Sequence, residues 1–83
     1  MPHEEIFEAL REVLIDRLKV EADKIKSDAN LFEDLGLDSI DLMSAVMAIE
    51  ERFSVEVSDR ELENVTTVGE AVDLLAEKAG ARA

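Results

Sequence analysis

Apolar side chains recur at helical spacing in three separate segments of this chain, and this spacing constrains its fold more than any other feature. In the first segment the apolar face consists of Ile6, Leu10, Val13, Leu14 and Leu18. Spacings of three and four residues predict an amphipathic helix, here over 4–19. Acidic residues in its first turns, and Arg17 and Lys19 in its last turn, suit the dipole of such a helix.

A second helix is predicted over 39–53 by its start signal and its apolar face. Asp38 is a good N-cap residue, and Asp41 stands three positions later, where a capping-box partner belongs. One stripe of the helical wheel, which we expect to face the core, holds Leu42, Val46, Ile49 and Phe53. The nearly opposite face holds three more apolar residues, which we expect to be exposed: Ile40, Met43 and Met47.

Two further capping boxes predict the remaining helices. Ser58 and Glu61 open a short helical turn near 59–63, and Thr67 and Glu70 open a last helix. The apolar face of the last helix holds Val68, Ala71, Val72, Leu75 and Ala79.

The longest connection, 20–37, has no sustained periodicity, and we expect four apolar residues to pack it down: Leu31, Phe32, Leu35 and Leu37. Gly36 suits a positive φ in this connection, and Gly80 is expected to end the last helix. These elements predict an all-α fold, a small four-helix bundle with three main helices and one short helix. Since 83 residues leave room for one domain, we place a single domain at 1–83.

Composition limits what else could hold the chain together or anchor it. There is no cysteine, so neither a disulfide nor a thiolate metal site is available. No apolar run approaches the roughly 18 residues that a membrane span needs, and the N-terminus lacks a signal segment. We therefore expect a soluble cytoplasmic protein. We also expect it to be a monomer.

Negative charge is concentrated in one part of the chain. The net charge is −12, and residues 27–77 hold fourteen acids against two bases, Arg52 and Arg60. Such a field repels nucleic acid and anionic membranes and attracts basic protein surfaces. The same charge could also form a solvated face that only aids solubility. We expect neither nucleic acid nor a membrane as a partner.

Catalytic and metal chemistry find little support in the sequence. The one histidine, His3, stands at a terminus that we expect to be loosely ordered. The acids over 34–41 lack the alternation of ligands and the glycine position of a calcium loop, and no glycine-rich phosphate loop is present. Ser39 has no histidine or lysine nearby in sequence to activate it as a nucleophile. We predict that the chain is not an enzyme and has no metal site.

The segment 35–41, Leu-Gly-Leu-Asp-Ser-Ile-Asp, sets Ser39 in the first turn of the second helix. A serine beside a helix start is most often its cap, but here Asp38 fills that role and leaves the Ser39 hydroxyl free. The unpaired N–H groups and the partial positive charge of a helix N-terminus favour an attached phosphate. The position therefore suits a serine that receives a phosphodiester from another enzyme.

This segment resembles the attachment motif of acyl carrier proteins, whose usual form is Asp-Ser-Leu in a Gly-x-Asp-Ser-Leu-Asp context. The likeness extends over nearly the whole chain, through the segments 31–36, 50–53, 57–59, 65–68 and 71–73. There are three departures. Ile40 replaces the usual leucine, Ser44 stands where a glutamate is common, and Ser58 replaces a frequent proline.

The resemblance implies a carrier whose Ser39 is modified with 4′-phosphopantetheine by a phosphopantetheinyl transferase. The thiol of that group would hold acyl intermediates as thioesters, between ketosynthases and other acyl-processing enzymes. The expected partner-binding residues are the acidic Asp38, Asp41, Glu50 and Glu51 and the apolar Ile40, Met43 and Met47 among them. The candidate walls of a cleft for the acyl chain are Val46, Ile49, Val57, Leu62, Val65 and Ala71.

Two alternatives remain open on the sequence alone. A helical acidic interaction module without a prosthetic group would explain the charge and the helices, but not the freed serine. An aminoacyl or peptidyl carrier would share the chemistry of the arm, although such carriers usually have a less acidic surface around the motif. The sequence does not distinguish fatty-acid biosynthesis from polyketide or other specialised biosynthesis.

Overall fold

The computed structural model describes residues 3–81, in which four α-helices surround one apolar core. They are α1 (His3–Asp16), α2 (Ser39–Phe53), α3 (Asp59–Leu62) and α4 (Val68–Ala81), with a 3₁₀ turn at Ala22–Lys24 between the first two. Over the described residues there is no strand, only an isolated antiparallel bridge between Asn30 and Thr67. The predicted all-α fold of three main helices and one short helix is confirmed.

The core lies where α1 packs against both α2 and α4. Its fully buried large side chains come from every long element of the chain: Ile6, Leu10, Leu14, Leu31, Val46, Ile49, Val68 and Leu75. Between residues 3 and 80 no polar or charged side chain is buried. Apolar burial at about 25 cal/mol per Å² is therefore the main source of stability in the bundle. No helix in the described range combines the length and the apolar character that crossing a membrane requires.

Helix α1 ends three residues earlier than its sequence pattern predicts. It begins at His3 and ends at Asp16, and the prediction that Arg17 and Lys19 occupy its last turn is wrong. Lys19 adopts a left-handed conformation with φ of 60°, and the N–H of Val20 then bonds back to the carbonyl of Leu14 at 3.0 Å. The helix stops because this turn buries the Val20 side chain.

Two expectations about the chain ends are also corrected. Gly80 does not end α4, which continues to Ala81. A glycine that stops a helix usually takes a positive φ, and among the described glycines only Gly36, in the connection before α2, has one. His3 was expected in a loose terminus but is the first residue of α1. Its Nε2 lies 3.0 Å from Oδ1 of Asp73 on α4, at the surface.

The long connection between α1 and α2 is fixed to the segment that precedes α4. The N–H of Leu31 donates to the carbonyl of Thr66 at 2.8 Å, and the N–H of Val68 donates to the carbonyl of Ala29 at 3.0 Å. The predicted packing by its apolar residues is confirmed, because Leu31 and Leu37 are buried and Phe32 and Leu35 pack against the core. The connection thereby delivers the chain to the start of α2 in a defined position.

Candidate functional site

The start of α2 is held by a reciprocal capping box. Oδ1 of Asp38 accepts a hydrogen bond from the N–H of Asp41 at 2.8 Å, and Oδ2 of Asp41 accepts one from the N–H of Asp38 at 3.3 Å. Immediately before it, Gly36 has φ of 71° and lets the chain turn into the helix. Both predictions, the capping box and the positive φ, are confirmed.

Ser39 is the first residue of α2, and its side chain is exposed. Because the two aspartates satisfy the cap between them, the hydroxyl of Ser39 is not needed to begin the helix. A nucleophile activated in place would need a base within hydrogen-bonding reach. Among residues 3–81 the hydroxyl of Ser39 has no such partner. The geometry therefore presents Ser39 to another molecule.

A cleft of ≈ 400 Å³ opens beside Ser39, between α2 and α3. Its apolar lining comes from the long connection, from α2, and from α3 with the residues after it: Phe32, Leu42, Met43, Leu62 and Val65. Exposed polar residues complete the lining: Ser39, Asp59, Glu63 and Thr66. An apolar groove that begins at an exposed hydroxyl can shelter a chain attached to that hydroxyl.

The structure brings only some of the predicted cleft residues to this groove. Leu62 and Val65 line it. Val46, Ile49 and Ala71 are buried in the packed core, with at most 1% of each exposed, and Val57 is half-buried outside the groove. Sequence reasoning named apolar residues of the bundle but could not separate the lining of a cleft from the core behind it.

Three apolar residues of the lining were not predicted as cleft residues, although the sequence positions of two of them indicated that they would lie there. Leu42 and Met43 follow Ser39 by three and four positions, so they stand one helical turn above it on the same side of α2. Phe32 lies in the long connection, and its position depends on how that connection folds back. A side-chain turn centred on Asn30 fixes this fold: its Oδ1 accepts from the N–H groups of Phe32 and Glu33, both at 2.9 Å.

Charge-assisted contacts fix the α3 wall of the cleft. The side chain of Ser58 accepts from the N–H of Glu61, and the carboxylate of Glu61 accepts from the N–H of Ser58, which confirms the predicted capping box. Lys78 of α4 pairs with the same carboxylate. The Lys78 ammonium, together with the N–H of Ser58, holds the pKa of Glu61 below its usual value, and Glu61 raises the pKa of Lys78. Helix α3 is thus tied to α4 by an ion pair.

The segment after α3 is fixed in a similar way. Oε1 of Glu70 accepts from the hydroxyl of Thr66 at 2.7 Å and from the N–H groups of Thr66 and Thr67 at 2.9 and 3.0 Å. These bonds, the Thr66 hydroxyl foremost, lower the pKa of the Glu70 carboxyl. The predicted capping box of α4 is therefore present and also holds Thr66 at the edge of the cleft.

The outward face of α2 carries exposed apolar side chains, as its helical wheel predicts. Ile40 is 76% exposed, Met47 61% and Met43 41%. On the opposite face Leu42, Val46 and Ile49 are buried and Phe53 is half-buried. The two-sided character of α2 is thereby confirmed.

Three of the four predicted partner-binding acids also serve the fold. Asp38 and Asp41 form the capping box, and the carboxylate of Glu50 accepts from the N–H of Val57 at 2.7 Å. Glu51 is exposed and has no ion pair or hydrogen-bonded side-chain contact within residues 3–81. Of the four, Glu51 is the acid whose charge is fully free for another molecule.

Comparison with known proteins assigns the chain to a family. Residues 8–75 match the family described as the phosphopantetheine attachment site. The acyl carrier protein of a Picosynechococcus species is 43% identical over 79 residues, which cover 95% of this chain and 98% of that protein. A match over this length takes in all four helices and Ser39.

Solved structures show the same fold. The crystal structure of an acyl carrier protein from Thermotoga maritima superposes with a TM-score of 0.86, at 21% identity, over 98% of this chain and 94% of that one. The acyl carrier protein of Enterococcus faecalis gives a TM-score of 0.76, at 33% identity, over 94% of this chain and 99% of that one. The alternative of an interaction module without a prosthetic group is removed by the attachment-site match. The chain belongs to the acyl carrier protein family, whose members are phosphopantetheine-dependent carriers and not enzymes.

Proposed function

We propose that Ser39 is the residue that receives phosphopantetheine, and that the single carrier domain comprises residues 1–83. The observation that carries the proposal is an exposed serine in first position of a helix whose cap is already satisfied by Asp38 and Asp41. The N–H groups of the first turn and the helix dipole suit the phosphate of the arm. The bound group supplies a thiol that holds acyl groups as thioesters.

The cleft beside Ser39 supports a role in sheltering the acyl chain. Leu42, Leu62 and Val65 give it an apolar lining that a hydrocarbon chain would fill, at the favourable free energy of apolar burial. Helix α3 contributes no fully buried side chain, and an ion pair between Glu61 and Lys78 joins it to α4. The acidic residues of α2 and its exposed apolar side chains are proposed to dock phosphopantetheinyl transferase, ketosynthases and other acyl-processing enzymes.

The pathway and the location remain predictions. The relatives named above are acyl carrier proteins, which favours acyl groups over aminoacyl or peptidyl groups as cargo. Fatty-acid biosynthesis is the typical role of this family, and polyketide biosynthesis is the alternative. A cytoplasmic location stays a prediction from the sequence.

The test of the attachment residue is mass spectrometry of the intact protein. Incubation with coenzyme A and a broad-specificity phosphopantetheinyl transferase should add one phosphopantetheinyl group to the wild type and none to Ser39→Ala. Ser44→Ala, five residues along α2, is the matched control and should be modified like the wild type. The free energy of unfolding of Ser39→Ala should lie within about 0.5 kcal/mol of the wild-type value, since Ser39 is exposed and does not cap the helix. Modification of Ser39→Ala would refute the assignment.

A further inference from the structure

A second groove, of ≈ 440 Å³, runs between the end of α1 and the outward face of α2. Its lining includes the apolar side chains of that face and two residues of opposite charge: Ile40, Met43, Met47, Ala48, Arg17 and Glu51, with Ser44 beside them. Met43 lines both this groove and the cleft beside Ser39, so the two are neighbours on α2. A molecule that fills the groove therefore lies close to the attachment residue.

Arg17 brings a positive charge to this groove from the end of α1. Since the helix stops at Asp16, Arg17 lies just beyond it, and its N–H still bonds to the carbonyl of Val13 at 2.9 Å. Its side chain is exposed and lies within 4 Å of no carboxylate among residues 3–81. The guanidinium presents donors in a planar fork that matches a carboxylate.

Opposite charges thus line one apolar groove. Glu51 attracts a basic side chain of a docking protein, whereas Arg17 repels one and attracts an acidic one. Position 44, on the same groove, is a serine and adds no acid that would neutralise Arg17. A protein surface that is basic throughout would match Glu51 but oppose Arg17.

We infer that the groove selects partner enzymes whose docking surface places an apolar side chain between a basic residue, which faces Glu51, and an acidic residue, which faces Arg17. This inference rests on the proposed carrier function and adds a rule for partner choice. The exposed apolar side chains supply contact area, and the two methionines adapt to the inserted side chain. A second copy of this chain is a poor occupant, because each copy has a net charge of −12.

The test compares charge changes inside and outside the groove. Arg17→Glu reverses the charge in the groove, Arg17→Gln removes it, and Arg11→Glu is the matched control on α1, since it makes the same change in net charge but does not line the groove. Each variant is converted to the holo form, loaded with an acyl group, and offered to a ketosynthase from the same organism. Arg17→Glu should lower kcat/KM about tenfold or more, Arg17→Gln by less, and Arg11→Glu hardly at all.

Compensating substitutions in the ketosynthase identify the acidic residue that faces Arg17. Acidic residues on the ketosynthase surface are changed to lysine one at a time. One such change should restore transfer from Arg17→Glu and weaken transfer from the wild type, because opposite charges then face each other again. Melting curves of all variants report the fold independently, and Arg17→Gln stands in if the acids nearby destabilise Arg17→Glu.

The outcomes distinguish a failure of the partner rule from a failure of the carrier function. If the wild type accepts no phosphopantetheine, the carrier function itself is wrong. A second outcome is that the wild type is loaded normally while Arg17→Glu shows the same kcat/KM for acyl transfer as Arg11→Glu, or a higher one than the wild type. In that case the inference that partners carry both a basic and an acidic docking residue is wrong, and the carrier function stands.

Discussion

The N–H of Gly69 donates to the carbonyl oxygen of Ser27 at 2.8 Å, so the first turn of α4 lies directly against the backbone of the long connection. A Cβ added to Gly69 would lie 2.9 Å from that same oxygen. The glycine is required by the close approach of two backbone segments and not by its own φ, because Gly36 is the glycine with a positive φ in the described chain.

We therefore expect Gly69→Ala to destabilise the protein, although alanine is the better helix former. The obstructing atom belongs to the backbone, so the connection must shift, at a cost of about 1–3 kcal/mol, which is typical of overpacking. Gly80→Ala is the matched control in the same helix: its Cβ would meet nothing within 4 Å, and it should gain up to about 1 kcal/mol. Denaturant unfolding measures both. Equal stabilisation by the two changes would show that the connection yields easily.

The two faces of α2 should respond differently to mutation. Ile49 is fully buried, and Ile49→Ala should cost about 2–5 kcal/mol as a core truncation. Met47 is 61% exposed, so Met47→Glu should leave the melting curve almost unchanged while it weakens acyl transfer to a partner enzyme. If Met47→Glu unfolds the protein as Ile49→Ala does, the outward face of α2 is part of the core.

Two substitutions of Asp38 distinguish its role in capping α2 from its proposed role in docking. Asp38→Ala removes the acceptor of the Asp41 N–H and should cost about 1 kcal/mol, whereas Asp38→Asn keeps an acceptor oxygen and should cost little. Both changes remove the same charge, so both should slow modification by the transferase to a similar extent. A slowing that follows the loss of stability instead would assign Asp38 a purely structural role.

The ion pair between Glu61 and Lys78 should depend on pH in a defined window. Lys78 lowers the pKa of Glu61 in the folded protein. The stabilisation that Glu61 provides is therefore present above its unfolded pKa of 4.5 and is lost as the pH falls through the lower folded pKa. Glu61 raises the pKa of Lys78 in the folded protein. The stabilisation that Lys78 provides is therefore complete below its unfolded pKa of 10.5 and is lost as the pH rises through the higher folded pKa.

A double-mutant cycle checks this window. Glu61→Gln, Lys78→Met and their combination should show a favourable coupling at about pH 7, and the coupling should disappear at about pH 2. Glu63→Gln with Lys78→Met is the control, because Glu63 is a nearby exposed acid outside the ion pair. A coupling that persists at low pH would mean that packing, not charge, joins α3 to α4.

Salt should stabilise the fold, because residues 27–77 carry fourteen acids and two bases. Screening acts over a Debye length of about 10 Å at 0.1 M salt, so the melting temperature should rise with sodium chloride and more steeply with magnesium chloride. A variant with the exposed Glu56 and Glu63 changed to lysine should have a higher melting temperature, and that temperature should depend less on salt. A melting temperature independent of both salts would show that the acids are too dispersed to interact.

Helix starts were predictable from the sequence, and some helix ends were not. The pairs Asp38 with Asp41 and Ser58 with Glu61 are local signals, since each box is complete within four residues. The end of α1 depends on Val20 turning into the core, which is a contact between distant parts of the chain. The spacing of Leu18 continues the helical pattern, but the tertiary contact overrides it.

The position of Ser39 at the start of α2 and the two faces of that helix were also predictable, because both follow from neighbours along one helix. The cleft was not, because Phe32 reaches it through the fold of the long connection and its opposite wall comes from α3. Arg17 was placed in a helix by its sequence, and only the structure shows it in the groove with Glu51. The residues of a site that is built from several segments of the chain can be identified only when the fold is known.

The absence of buried polar side chains between residues 3 and 80 has a consequence for cargo. A hydrocarbon chain that entered between α2 and α3 would replace one apolar surface by another, and no hydrogen bond between buried side chains would have to break first. The cost of entry would then be that of displaced van der Waals contacts, which grows with the volume inserted. Chain length, and not the chemistry of the interior, would decide which acyl groups this small protein can hold.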